Sequence, residues 1–96
     1  MAKHPRSITT YRLTDHARFE MVRRQINETE VASVVAAPEQ TACVREGRAV
    51  YQSRIGLGEP SKLYLLRVIV DIDRQPSEVV TVCRSSKVQK YWRDET

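Results

Sequence analysis

His16, Glu20 and Arg24 recur at i, i+4 and i+8, so on a helix they form a single ridge. A histidine beside a carboxylate can take or give a proton near neutral pH, with the carboxylate fixing its tautomer. An arginine on the same ridge can hold a phosphate through its planar fork. At about 100° per residue, Phe19, Val22 and Ile26 gather on one flank of this helix and Ala17 and Met21 on another. The ridge, with Arg23 at its margin, falls between them, on the side expected to face the protein. Polar groups there cost free energy unless they are paired or line a cleft. The plain alternative is an ordinary surface helix in which Glu20 pairs with His16 and Arg24.

A second group closes the chain: Arg84-Ser85-Ser86-Lys87-Val88-Gln89-Lys90-Tyr91-Trp92-Arg93. On a helical turn, Lys87 and Tyr91 share one face while Val88 and Trp92 pack inward as a buried pair. The two serines after a strand offer hydroxyl and backbone N–H groups to an anion. The plain reading of the same segment is a basic solubilising tail pinned by Trp92. Arg67, the lone charge in an otherwise apolar strand, is a third candidate.

The elements that must carry these groups follow from caps and periods. Thr14-Asp15 starts a first helix over Asp15 to about Gln25. Asn27 with Glu30 resembles a capping box, and Val31, Val34 and Val35 continue a second helix from about Glu28 to Ala37, before Pro38. Beyond it, Val-, Ile-, Thr- and Tyr-rich runs predict four strands at Gln40 to Arg45, Arg48 to Ile55, Lys62 to Asp71 and Glu78 to Arg84. Glu46-Gly47 and Asp73-Arg74-Gln75-Pro76 are the hairpin turns, and Gly56 to Ser61 is a longer loop. Leu63 to Val70 is apolar on both faces except at Arg67, which marks a central strand. Tyr11 to Leu13 has the character of a short edge strand. The expected fold is α+β: two N-terminal helices packed on one face of a four-stranded antiparallel sheet, with a short C-terminal helical segment. Residues 1–10 are expected as a flexible arm and residues 11–93 as a single domain.

With 96 residues, 41% of them apolar, the chain can build one core. Sixteen Lys and Arg against twelve Asp and Glu leave a formal charge of +4, which favours a polyanionic partner. That excess sits at the two ends of the chain, so a fold that joins them would concentrate it. The longest apolar runs, Val34 to Ala37 and Leu63 to Leu66, are far too short to span a bilayer, and no secretory signal follows Met1, so a cytoplasmic protein is expected. Cys43 and Cys83 lack the spacing of a zinc site and read as small buried strand residues; no metal or other cofactor is expected.

The string His16-Ala17-Arg18-Phe19-Glu20-Met21-Val22-Arg23-Arg24-Gln25-Ile26, with Val79-Val80-Thr81-Val82-Cys83-Arg84-Ser85-Ser86-Lys87 and Tyr91-Trp92, resembles the bacterial domain-of-unknown-function family DUF4258 over about Tyr11 to Trp92. The sequence departs from the family pattern at Gln25, where such sequences commonly have Gly to end the first helix. The family is grouped with compact toxin ribonucleases of the BrnT and RelE kind. That resemblance implies a two-helix, antiparallel-sheet fold and marks His16, Arg24, Arg84, Lys87 and Tyr91 as site residues.

Together these readings point to a metal-independent endoribonuclease, the toxin of a toxin–antitoxin pair, with RNA as substrate and an antitoxin protein as partner. His16 would serve as acid or base with Glu20 orienting it, Arg24 and Arg84 would stabilise the phosphorane, and Lys87 or Tyr91 would protonate the leaving oxygen. Arg23 and Lys90 would hold RNA. Two other readings stand beside it. One is a non-catalytic module that binds nucleic acid or an acidic protein through the same basic face; the other is a structural protein whose ridge is buried in a homodimer.

Overall fold

The computed structural model describes residues 6–92. Its elements are β1 (Tyr11–Leu13), α1 (Asp15–Arg24), α2 (Glu28–Ala36), β2 (Gln40–Arg45), β3 (Arg48–Leu57), β4 (Lys62–Asp71), β5 (Ser77–Ser85) and α3 (Val88–Tyr91). Thr14 caps α1: its Oγ1 accepts from the Ala17 N–H at 3.1 Å and donates to the Val80 carbonyl, which fastens the start of the helix to β5. Asn27 and Glu30 exchange side-chain and backbone hydrogen bonds at 2.9 and 3.0 Å, the reciprocal box expected at the start of α2.

Between the helices, Gln25 adopts a left-handed conformation (φ 57°, ψ 47°), and the Ile26 N–H reaches back to the Met21 carbonyl at 2.8 Å. This is the position where Gly is expected from the resemblance noted above. A glycine reaches that conformation without the crowding a Cβ brings. The turn drops Ile26 into the core and aims the chain into α2.

The sheet has five strands in the order β1-β5-β4-β3-β2. It is mixed rather than the four-stranded antiparallel sheet expected, because Tyr11–Leu13 pairs in parallel with Ser77–Val79. A parallel pair needs a long crossover, and everything from α1 to β4 supplies it. Strand β3 also outruns its predicted end at Ile55, since Gly56 and Leu57 pair with Leu63 and Lys62. Gly47 sits at φ 81°, as the Glu46-Gly47 turn requires.

Alternation along the strands divides the sheet into two faces. Ala49 and Tyr51 of β3, Leu66, Val68 and Val70 of β4, and Val79 and Val82 of β5 form one cluster with Ala17, Met21, Ile26, Val31, Val34 and Val35. This is the helix-bearing face. Ile8 joins the cluster, and its N–H donates to the Val35 carbonyl at 2.8 Å, while Tyr51 donates its hydroxyl to the Arg6 carbonyl at 2.6 Å. Within the stretch read as an arm, the chain is thus fastened from Arg6; residues 1–5 and Arg93 lie outside the described residues. The alternate set, including Val50, Gln52, Leu65 and Arg67, occupies the second face.

The cysteines are not buried as expected: Cys43 is exposed on the edge strand β2 and Cys83 is half-buried. No helix among the described residues is long and apolar enough to cross a membrane.

Two tests arise from these local devices. Gln25→Gly should raise stability by about 0.5 to 1 kcal/mol and Gln25→Val should lower it, both read by urea denaturation. The second concerns the hairpin ends of β3 and β4, where Arg48 forks onto Asp71 at 2.7 and 3.2 Å. Above all through this fork, against the opposing effect of burial, the Asp71 carboxyl is held below its usual range, with the charges of Arg48, Arg45 and Arg74 assisting. A depressed carboxylate contributes stability that is complete above its unfolded value, about 3.9 for Asp, and is lost as pH falls through the lower folded value. Melting temperature should therefore fall below about pH 4, and Asp71→Asn should flatten that decline while lowering stability at pH 7.

Candidate functional site

Helix α1 rests on the sheet through Ala17, fully buried, and Met21. The polar ridge does not face the protein between two apolar flanks as the period suggests. It runs along the margin of the packed side, while Phe19 and Val22, expected inside, are 63% and 80% exposed. The sequence offers α1 two apolar arcs, and the one with the small residue packs, because Ala17 lets the helix backbone approach β5 closely. Ile26 is buried, but only after the chain has left the helix.

On the ridge, the Glu20 carboxylate accepts from Arg24 Nε at 2.8 Å and, more loosely, from Arg23 Nη1 at 3.5 Å. The Arg24 hydrogen bond is the main reason its carboxyl is held low; burial opposes, and the charges of Arg23, Arg24 and His16 add to the lowering. His16 is exposed and makes no hydrogen bond among the described residues. Glu20 is therefore engaged by Arg24 rather than orienting His16.

The C-terminal residues divide between the two faces. Arg84 pairs in register with Leu66 and so points to the helix-bearing side, its guanidinium 5.7 Å from the Tyr64 ring. After β5 the chain turns the other way: the Lys87 N–H donates to Ser85 Oγ at 3.0 Å and opens α3, which lies on the second face. Tyr91 there stacks against Arg67 at 4.3 Å, and the Tyr91 carbonyl accepts from Gln52 Nε2 at 3.2 Å. Both Arg67 and Gln52 alternate with core residues, so α3 and α1 are on opposite faces. The structure brings together Lys87, Lys90 and Tyr91, and separately His16, Glu20, Arg23 and Arg24. It does not join the two groups, nor Arg84 to α3.

Sequence reasoning named Arg67 and Tyr91 but missed Gln52, which joins them at the centre of the second face. Gln52 is only 3% exposed. Its amide donates to Gln40 Oε1 at 2.9 Å as well as to Tyr91, and its Oε1 accepts from Arg67 Nε at 3.0 Å. A buried amide with each group satisfied is a rigid fixture. It holds the Arg67 guanidinium by one edge, Tyr91 supports its plane, and the Nη groups carry no hydrogen bond among the described residues. Arg67 is thus a positioned cation with donors free for an anion, and the exposed Lys87 and Lys90 belong to the same short segment as Tyr91. Lys90 lies 5.3 Å from the Tyr91 ring. Beside this group, Arg54 stacks on Trp92 at 4.1 Å but is neutralised by a two-pronged contact with Glu39 at 3.1 and 3.0 Å. The only sequence signal was the polar pair Gln52 and Arg67 inside apolar strands; that they meet depends on register. Among the described residues no three His, Cys, Asp or Glu gather as a metal site would require.

A family model described as a domain of unknown function, DUF4258, matches residues 13–84. The match includes Arg67, Gln52 and the α1 ridge and stops before Lys87, Lys90 and Tyr91. No curated protein and no solved structure matches the chain.

The placement of α3 changes the energetics expected of its aromatics. Val88 and Trp92 are both partly exposed rather than a buried pair. Trp92→Ala should cost about 0.5 to 2 kcal/mol, the range of a cation–π contact, not the roughly 3 to 5 kcal/mol of emptying a large core site. Urea denaturation of the two proteins measures the difference.

Proposed function

The chain belongs to the DUF4258 family, and on that footing we propose that it is an RNA-binding domain whose contact surface is the sheet face opposite α1 and α2. The observation that carries this reading is Arg67, held by Gln52 and Tyr91 with its outer donors free. A phosphate oxygen pair matches a guanidinium fork, and pre-ordering the fork reduces the entropy lost on binding. Lys87 and Lys90 add mobile charge beside it, suited to successive phosphates along a strand. The half-buried Tyr91 ring works as a support for Arg67 rather than as a general acid.

The resemblance to toxin ribonucleases of the BrnT and RelE kind is a reason to choose RNA as the probe. Cleavage in the form outlined from the sequence needs His16 and Lys87 or Tyr91 around one phosphate. With α1 and α3 on opposite faces, a single phosphate cannot touch both groups, so we favour binding without cleavage. An antitoxin partner belongs to the cleavage reading and falls with it.

Anisotropy of a labelled single-stranded RNA across a salt series tests the proposal. Binding should weaken steeply with salt, at roughly 0.7 units of logarithmic slope per phosphate contact for a single strand. Arg67→Ala should weaken it most, Lys87→Ala and Lys90→Ala should each reduce the slope, and Arg24→Ala should leave both affinity and slope unchanged. Salt-insensitive binding, or equal losses from Arg24→Ala and Arg67→Ala, would overturn the assignment of this face. The same mixtures run on a gel with EDTA test cleavage: RNA cut by the wild type and left intact by His16→Ala would establish the enzyme instead.

A further inference from the structure

We infer that Lys62, Tyr64 and Arg84 form a site for a terminal phosphate group, the dianion of a phosphate monoester. Arg84 pairs in register with Leu66, and Lys62 and Tyr64 alternate with Leu66 along β4, so all three belong to the helix-bearing side of the sheet. There the Lys62 ammonium and the Arg84 guanidinium each lie 5.7 Å from the centre of the Tyr64 ring. The ring attracts both cations and so gathers them at one place. Neither makes a hydrogen bond or ion pair among the described residues, and the Tyr64 hydroxyl makes none either. A guanidinium, an ammonium and a phenol thus stand together with their donors unused. Only Arg84 carries a signal in the sequence; the cluster exists because β4 and β5 pair.

The carboxylates of the neighbouring elements are committed elsewhere. Glu20 accepts from Arg24, Glu28 from the Tyr11 hydroxyl, Glu30 from the Asn27 N–H and Glu39 from Arg54, while Asp15 is exposed on the outer side of α1. Glu59, in the turn that leads into β4, is nearest in sequence; it is exposed and makes no ion pair, so it competes with a ligand without filling the site. Two unpaired cations around one ring repel each other, and a dianion between them removes that repulsion. A phosphate monoester carries nearly two negative charges at neutral pH and three acceptor oxygens; a phosphodiester or a carboxylate carries one charge. The Arg84 fork matches two of those oxygens, and the mobile Lys62 ammonium and the Tyr64 hydroxyl supply donors for the rest. A small phosphorylated molecule and the phosphorylated end of a nucleotide both present this group. The site is on the face opposite Arg67, so the inference does not rest on the RNA-binding reading.

The test titrates the isotope-labelled full chain with methyl phosphate, dimethyl phosphate and uridine monophosphate, read by amide chemical shifts. Methyl phosphate should give saturable shifts centred on Lys62, Tyr64 and Arg84, and dimethyl phosphate should give none there. Arg84→Gln and Lys62→Gln should each weaken methyl phosphate about tenfold or more, as loss of a charge-assisted hydrogen bond does. Arg84→Lys, which keeps the charge without the fork, should fall between Arg84→Gln and the wild type. Tyr64→Phe keeps the ring and should weaken binding about threefold, whereas Glu59→Gln should strengthen it. Melting temperatures in phosphate-free buffer should stay unchanged, because these polar groups hold no other part of the fold; that separates lost binding from lost folding. Tighter binding of uridine monophosphate through the same residues supports the site with a nucleotide as its source, and equal affinity supports it with a small phosphorylated molecule. No saturable shifts at millimolar methyl phosphate, equal binding of dimethyl phosphate, or indifference to Arg84→Gln overturns the inference. So do shifts confined to Arg67, Lys87 and Lys90, which would place the anion on the second face alone.

Discussion

The register of β3 against β4 governs where every functional group in this domain points. Ten residues of each strand are paired, from Arg48 with Asp71 to Leu57 with Lys62. Because strand side chains alternate, a slip of one residue would exchange the two faces, sending Tyr51 and Val68 outward and Gln52 and Arg67 into the core. The buried apolar set excludes that slip on one side, and the Gln52–Arg67 hydrogen bond excludes it on the other. At the strand ends, the Arg48–Asp71 fork and the Gly47 carbonyl, which accepts from Ile72, fix the same alignment. Packing and polar pairing thus agree on one arrangement, which is what makes a sequence specify a single structure.

This alignment gives the sheet two faces of different chemistry. The helix-bearing face is closed by Val, Leu and Ala side chains from both layers, and its polar residues remain at the margin of α1. The second face is only thinly covered: α3 is a single turn, and it contributes no buried residue. Its order comes instead from stacked cations, Arg67 on Tyr91 and Arg54 on Trp92, and from one buried amide. Such a face is polar enough to stay in water and rigid enough to present a cation in a fixed direction, a combination suited to binding.

Much of this framework is legible in the sequence because it is local. The caps at Thr14 and Asn27, the two helices, the hairpin turns and the apolar run of β4 each depend on residues within a few positions, and their bounds hold to within a residue or two. Tyr11–Leu13 is recognisable as a strand, but its partner is 66 positions away, so its parallel pairing is not. The site was legible only as a set of residue types. Periodicity cannot say which of two apolar arcs of α1 packs; that choice belongs to the size of Ala17 and the nearness of β5. Nor can it say to which side the chain turns after Ser85, and that turn alone separates Lys87 and Tyr91 from His16. Gln52 shows locally only as a polar residue inside a strand, and it acquires meaning from what stands across it.

The separation of the two surfaces also constrains how they would act together. A helix about 10 Å in diameter and the sheet beneath it lie between the outer side of α1 and the second face. That distance exceeds the Debye length of about 8 Å at physiological salt, so charge neutralised on one surface is little felt on the other. The layer between them is built of fully buried side chains such as Val68, Leu66 and Tyr51, packed in one arrangement. Coupling between sites needs an element with two arrangements that each ligand favours differently, and close packing of this kind gives a ligand on one face no second arrangement to select. The expectation that follows is additivity: an anion held at Arg67 and a ligand held on the outer side of α1 would bind with independent free energies.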